Sequence, residues 1–336
     1  MKARVSDIAK RANVSSTTVS RVIHGYHNVN AETRQRVQKV IQELQYKPKT
    51  IIVEQPSKNI GLVVGDIRNP FFGDMVYRIQ ECFLQYGYVT IPLSNEFDPE
   101  KEKSLLRIVE KSDFAALILV SSMDSNVLKR TLEGINCPVT LTDRVIDGFV
   151  GNVVIQDNFQ AGYLATKHLI DLGYHKIAFL AGNTSSASSK RRVDGYREAL
   201  SNAFLPIDET LIMPGQMSFG RGYHDGLAYL DRLENMPHAV LAANDMTAIG
   251  FLEACKKRGV RVPEDISVVG FDGIELSSLE SFDLTTVCQP VQEMAQRICE
   301  LTIEAIRHPN KKCNHRVILE PSLIIRGSTC ENLHEM

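Results

Sequence analysis

The 336-residue sequence has no close CxxC pair among its seven cysteines (Cys82, Cys137, Cys255, Cys288, Cys299, Cys313 and Cys330), and their odd number resists complete pairing within the chain. This argues against a disulfide framework or a zinc site of recognisable spacing, and it predicts reduced thiols with no metal and no cofactor. No apolar run is long enough to span a bilayer. The chain starts Met1-Lys2-Ala3-Arg4-Val5-Ser6-Asp7 and goes directly into a helical pattern, without an apolar signal region or a small-residue cleavage site. A cytoplasmic protein with no membrane partner is expected. Catalytic signatures are missing too: there is no nucleophile elbow and no P-loop, and Gly61 and Gly65 do not form the GxGxxG of a dinucleotide site. These absences argue against an enzyme.

What is present is the composition of a globular protein, 43% hydrophobic and 23% charged. The length exceeds one average domain and leaves room for several cores. A net charge of −2 conceals an asymmetry: residues 1–50 carry ten Lys/Arg against three Asp/Glu, leaving 28 against 37 in the rest. A basic head on an acidic body concentrates attraction for polyanions at one end. Taken alone, the same charges also suit a solvated basic face.

The first fifty residues hold three short apolar runs at helical spacing, Val5-Ile8-Ala9, Val19-Val22-Ile23 and Val37-Val40-Ile41-Leu44. Ser6 is placed to cap the first helix, Ser15 or Ser16 the second and Asn30 the third, with Asn13-Val14 as the tight turn between the first two. Residues 46–59 carry two prolines and read as a linker. From Ile60 onward, strand-like runs (60–66, 88–93, 114–120, 139–142, 176–181, 239–243, 266–271) alternate with helical patterns near 73–86, 99–111, 124–133, 158–172, 190–203, 219–233, 246–258 and 290–307. Such alternation predicts parallel sheets with helices on both faces, arranged as two doubly wound lobes, with ligands at the carboxyl ends of the strands.

The segment Val5-Ser-Asp-Ile-Ala-Lys-Arg-Ala-Asn-Val-Ser-Ser-Thr-Thr-Val-Ser-Arg-Val-Ile-His-Gly25 resembles the helix-turn-helix of the LacI/GalR repressors. The likeness continues through Asn28-Val29-Asn30, Glu32-Thr33-Arg34 and Tyr46-Lys47-Pro48. Further landmarks are Asp66-Ile-Arg-Asn-Pro-Phe-Phe72, Thr142-Asp143-Arg144, Arg192-Val-Asp-Gly-Tyr196, Ala243-Asn244-Asp245 and Val269-Gly-Phe-Asp272. The resemblance implies an all-α helix-turn-helix head at 1–48, a linker or hinge at 49–59, and a periplasmic-binding-protein-like α/β sensor at 60–330, followed by a tail at 331–336. Its first lobe would span about 60–157 and 289–317, and its second about 158–288 and 318–330.

By the same resemblance Ser16, Thr17 and Arg21 hold the base-reading positions. Arginine suits bidentate contact with guanine, whereas the short hydroxyls leave the operator sequence open. Lys2, Thr18, Ser20, Asn30 and Arg34 fit phosphate contacts, and Ser6, Ser15 and Asn28 complete the expected DNA-facing set. One small head buries too little DNA for tight specific binding, so two heads on a pseudo-palindromic operator are expected, in a homodimer or a tetramer. The linker departs from the family pattern, with Lys49-Thr50-Ile51-Ile52-Val53 after Pro48. Its apolar residues serve either as a minor-groove wedge or as packing on the sensor.

The effector is expected to be a sugar, sugar acid or sugar phosphate, acting as inducer or corepressor. Phe71 and Phe72 are candidate walls, Arg192 the grip, and Met217, Asn244, Asp245, Asp272 and Gln289 further lining. Lys190 and Arg191 hint at an anionic effector, and equally fit a solvated helix end. A secreted sugar-binding protein is the competing reading, which the basic head disfavours.

Overall fold

The computed structural model describes residues 5–23, 31–44, 46, 57–121, 123–142, 144–183, 186–232, 237–309 and 314–332, without the side chains of Val5, Ser20, Arg21, Ile23 and Ala31. The chain divides into two compact units, with the boundary after Ser57.

The first unit contains α1 (Val5–Arg11), α2 (Ser16–Ile23) and α3 (Ala31–Glu43). Ile8, Ala9, Ala12, Val19, Val22, Val37 and Val40 form its buried core, with Val14, Leu44 and Tyr46 packed against them. The turn from α1 to α2 places Asn13 at φ +53°, a left-handed conformation that asparagine tolerates better than branched residues. The Val14 amide closes the turn on the Ala9 carbonyl at 3.0 Å. Ser15, rather than Ser16, caps α2, its Oγ accepting from the Thr18 amide at 3.1 Å. Ser6 lies within α1 and does not cap it, because that helix starts one residue earlier. Asn28 and Asn30 fall outside the described residues.

The second unit holds two six-stranded sheets. The first, in the order β11-β5-β4-β3-β1-β2, is wholly parallel and is built from β1 (Asn59–Val64), β2 (Val89–Ser94), β3 (Ala116–Leu119), β4 (Val139–Leu141), β5 (Asn152–Gln156) and β11 (Arg316–Leu319). The second, in the order β12-β10-β9-β8-β6-β7, uses β6 (Ala178–Gly182), β7 (Ile212–Pro214), β8 (Ala239–Ala242), β9 (Ser267–Asp272), β10 (Thr285–Cys288) and β12 (Ser322–Ile324). Only β12 runs antiparallel in it, against β10. The chain passes between the lobes near 157, 289 and 320. The expected boundary between Val317 and Ile318 is corrected here: the ladder with β5 continues through Ile318 and Leu319, so the first lobe keeps both residues.

Helices α4 (Pro70–Leu84), α5 (Pro99–Lys111), α6 (Ser125–Leu132) and α11 (Val291–Arg307) belong to the first lobe. Helices α7 (Asn158–Asp171), α8 (Ala187–Asn202), α9 (Phe219–Leu230) and α10 (Asp245–Arg258) belong to the second. Glycines let its helices touch in pairs: a Cβ on Gly162 of α7 would lie 2.0 Å from the Arg192 carbonyl oxygen of α8, and one on Gly195 of α8 would lie 2.0 Å from that of Phe159. Gly222 of α9 and Gly250 of α10 repeat the device, at 2.1 and 2.2 Å from the facing carbonyls. Among the described residues no helix is long and apolar enough to cross a membrane.

Candidate effector cavity and DNA-reading helix

The strands of both lobes end at a shared cavity, as expected of doubly wound sheets. After β1, Asn69 caps α4 by accepting from the Phe71 amide at 3.1 Å, and Pro70 presets the first turn. Phe71 and Phe72 thus sit in a helix and not in the preceding loop. Their rings meet edge to face, with centroids 5.1 Å apart, and both line the cavity.

Phe97 supplies a third aromatic wall, 5.7 Å from Phe72. It follows β2 in a turn where Glu96 and Phe97 both adopt positive φ (53° and 57°), a costly pair for non-glycine residues. Buried Asn95 holds that turn: its Oδ1 accepts from the Phe97 amide at 2.9 Å, and its Nδ2 donates to the Val120 carbonyl at 2.9 Å and to Glu102 at 3.2 Å. Gly65 leaves room for the ring, since a Cβ there would fall 2.2 Å from it. Ser121, Thr142 and Gln156, at or just beyond the ends of β3, β4 and β5, complete the first-lobe side.

On the second-lobe side Arg192 of α8, 5% exposed, places its guanidinium carbon over the Phe271 ring, 4.8 Å from the centroid. Its Nε donates to Asn158 Oδ1 at 2.9 Å, its Nη1 to the Ala243 carbonyl at 2.6 Å, and its Nη2 lies 3.7 Å from Asp272. Asp272 takes φ +112° and accepts from Gln289 Nε2 at 2.7 Å. Burial pushes its carboxyl up to about 6 against the opposing pull of Arg192 and Gln289. Asn244 caps α10 with its Oδ1, and its Nδ2 lies 3.4 Å from the Met217 carbonyl. Met217, Asn183, Ser186 and Ser188 complete this side. The space open to the centre of a water-sized sphere is about 90 Å³. On a measure where one water takes about 10–15 Å³, that is roughly six to nine waters, the scale of a small ring compound.

In the head, Ser16 and Thr17 are exposed on α2, while Ser6, Lys10, Asn13, Ser15 and Ser16 border one surface hollow. Thr18 is half-buried and shares a hydroxyl contact of 2.8 Å with Ser15; Arg34 of α3 is also half-buried. The side chains of Ser20 and Arg21 are outside the described set.

Residues 4–49 match the lacI family of bacterial regulatory proteins, and residues 166–329 match a periplasmic binding protein-like domain. The HTH-type transcriptional regulator DegA of Bacillus subtilis (strain 168) is 34% identical over 336 residues, covering 98% of each chain. The chain belongs to the lacI family. It is a DNA-binding transcriptional repressor of that family and not an enzyme. Two solved structures, each 28% identical with a TM-score of 0.73, share its fold: a complex of the transcriptional regulator CelR with cellobiose (97% of this chain, 99% of that one), and the lac repressor dimer bound to operator and the anti-inducer ONPF (98% and 100%).

Within this lacI family member, the cavity gathers Phe71, Phe72, Arg192, Met217, Asn244, Asp272 and Gln289 from the expected set. Asp245 is the exception. It points away from the cavity and under the 272–274 loop, accepting from Thr286 Oγ1 at 2.6 Å and from the Ile274 amide at 2.9 Å. Lys190 and Arg191 are exposed and do not line the cavity; Arg191 lies over Phe159 at 5.0 Å. The helix expected from about 190 starts earlier, at Ala187, with Ser186 as its cap. Sequence reasoning missed Phe97, Ser121, Asn158 and Gln156 as lining. Among the described residues no group of ligands for a metal occurs, and the six described cysteines are unbridged.

Burial, reinforced by the charge of Asp272, pushes the Asp245 carboxyl up to about 8. A carboxyl whose pKa is raised on folding stabilises the protein fully below its unfolded value near 4 and loses that contribution as pH rises through the folded value. Asp245→Asn mimics the protonated form, with its amide turned towards Thr286 and its oxygen towards Ile274. The variant is therefore expected to gain stability relative to the parent as pH rises from 6 to 9, measured by urea unfolding. A pH-independent difference would contradict the raised pKa.

Proposed function

We propose that the chain is a homodimeric repressor of a carbohydrate-utilisation operon, whose paired heads read a pseudo-palindromic operator and whose interlobe cavity takes a sugar or sugar derivative. The observation that carries the reading is the cavity itself: three phenyl rings suited to the C–H face of a sugar, opposed by a ring of amide, hydroxyl and guanidinium groups suited to its hydroxyls. The cellobiose complex of a 28% identical regulator is consistent with that chemistry. Effector binding would favour one degree of lobe closure and so change the spacing of the two heads. Such a protein works in the cytoplasm, at the nucleoid when bound to DNA.

The test begins with selection of binding sites from random duplexes by the purified protein. Two related half-sites are expected, without ligand for an inducer-controlled repressor or with the candidate sugars added for a corepressor-controlled one, and a protein that enriches no sequence under either condition is not a repressor of this kind. Arg21→Ala should cut the preference for the selected site over a scrambled duplex by roughly 10-fold or more, through loss of bidentate contact with guanine. An unchanged preference would remove Arg21 from the base-reading set.

A further inference from the structure

The polar lining of the cavity is unevenly committed. On the second-lobe side Arg192, Asp272, Gln289, Asn158 and Asn244 bond to one another or to neighbouring backbone. On the first-lobe side, three buried polar atoms have no hydrogen-bond partner: Nε2 and Oε1 of Gln156 and Oγ1 of Thr142. These residues are 3% and 7% exposed, and both line the cavity. They stand on adjacent strands, Thr142 just beyond β4 and Gln156 at the end of β5. Buried polar groups are nearly always paired, because leaving one unpaired forfeits its solvation with nothing in return. An unpaired carboxamide at a cavity wall is accordingly a request for a ligand that both donates and accepts.

We propose that Gln156, with Thr142, is the specificity-determining pair for the effector, reading two adjacent hydroxyls of an uncharged cyclic or open-chain polyol of monosaccharide size. This rests on the reading of the chain as a sugar-responsive regulator. A carboxamide presents an acceptor and a donor side by side, so one hydroxyl donates to Oε1 while its neighbour accepts from Nε2. The charged group of a sugar acid or sugar phosphate supplies acceptors only and, set against this amide, leaves Oε1 facing negative charge. The cation that would compensate, Arg192, is already neutralised by Asp272 and bonded to Asn158 and Ala243. A flat nucleobase could satisfy the amide along one edge, but the cavity draws polar groups from both lobes, Ser121, Thr142 and Gln156 from the first and Asn158, Ser188 and Asn244 from the second. That distribution suits hydroxyls around the whole perimeter of the ligand.

The experiment uses the full chain in thermal-shift and calorimetric titrations. The probes are neutral aldoses, ketoses and alditols of five and six carbons, gluconate, glucose 6-phosphate and hypoxanthine. At least one neutral member should bind, with the anions and hypoxanthine at least 10-fold weaker. Gln156→Met, which keeps the volume but not the amide, should weaken that ligand by roughly 10- to 100-fold, and Thr142→Val by roughly 2- to 10-fold. In the ligand-free state both variants should melt at or above the parent temperature, because neither loses a bond within the protein. A lower melting point for both would mean the groups are structural and would overturn the proposal. So would tighter binding of an anion or of hypoxanthine, unchanged affinity in Gln156→Met, or no binding by any neutral probe. Operator selection reads enrichment of DNA sequence rather than the groups that hold the ligand, so the regulatory reading can survive each of these failures.

Discussion

Replacing Arg192 by alanine is expected to destabilise the second lobe by about 3–5 kcal/mol and to abolish the response to effector. The truncation strands three groups at once: the Asp272 carboxylate, the Ala243 carbonyl and the Asn158 side chain, in a site where Arg192 and Asp272 are each only 6% exposed at the side chain. Asp272 already has its carboxyl raised to about 6, with burial as the main cause and Arg192 as the main opposing influence. Without the guanidinium the carboxyl moves further up. The destabilisation should therefore be larger at pH 8 than at pH 5.5, since a raised carboxyl loses its contribution as pH rises through the folded value. Urea unfolding at the two pH values measures this. Adding Asp272→Asn to Arg192→Ala should recover much of the stability by removing the stranded charge, without restoring effector binding. A single variant as stable as the parent would show that the ion pair at 3.7 Å carries no structural weight.

The same residue shows how far the sequence could be read. Arg192, Asn244 and Asp272 were legible through resemblance to a family, and the cavity brings them together. Of the two readings left open for Lys190 and Arg191, helix geometry selects the solvated one: successive residues on a helix point about 100° apart, so these two face solvent while Arg192 faces in. Asn244 caps α10 beside the cavity, and Asp245, one step on, turns under the 272–274 loop. The three-helix head was legible because its core follows a local apolar period and its turn falls on an asparagine suited to positive φ.

The short strands were harder. β5, β7, β10, β11 and β12 were not read as strands, although β3, β4, β6 and β8, equally short, were. With β5 went Gln156, whose unpaired amide is a property of tertiary burial that no sequence window contains. Phe97 was hidden differently. Nothing in Asn95-Glu96-Phe97-Asp98 announces two consecutive left-handed residues, which depend on Asn95 reaching Val120 and Glu102. Buried Glu102 itself resembles an ordinary solvated charge of an amphipathic helix until Ser121 and Asn95 are seen to bond to it.

Gly162→Ala should be nearly as damaging as the loss of Arg192, although it adds only a methyl group. The new Cβ would stand 2.0 Å from the Arg192 carbonyl oxygen, and this obstacle is backbone, unable to swing aside as a side-chain tip would. Helices α7 and α8 would have to separate, and Gly195 shows that they are in equal contact on the reciprocal side, 2.0 Å from the Phe159 carbonyl. Overpacking of this kind costs about 3 kcal/mol. Because the displaced atom belongs to Arg192, the guanidinium should lose its register with Asn158 and Asp272, and effector affinity should fall together with the melting temperature. Gly220→Ala is the matched control. Gly220 lies in the first turn of α9 with nothing within 4 Å of its would-be Cβ, so the substitution relieves a flexible helix position and should stabilise by up to about 1 kcal/mol. The two glycine-to-alanine changes thus carry opposite signs in one lobe. If Gly162→Ala melted at or above the parent temperature, close contact between α7 and α8 could not be what holds Arg192 in the cavity wall.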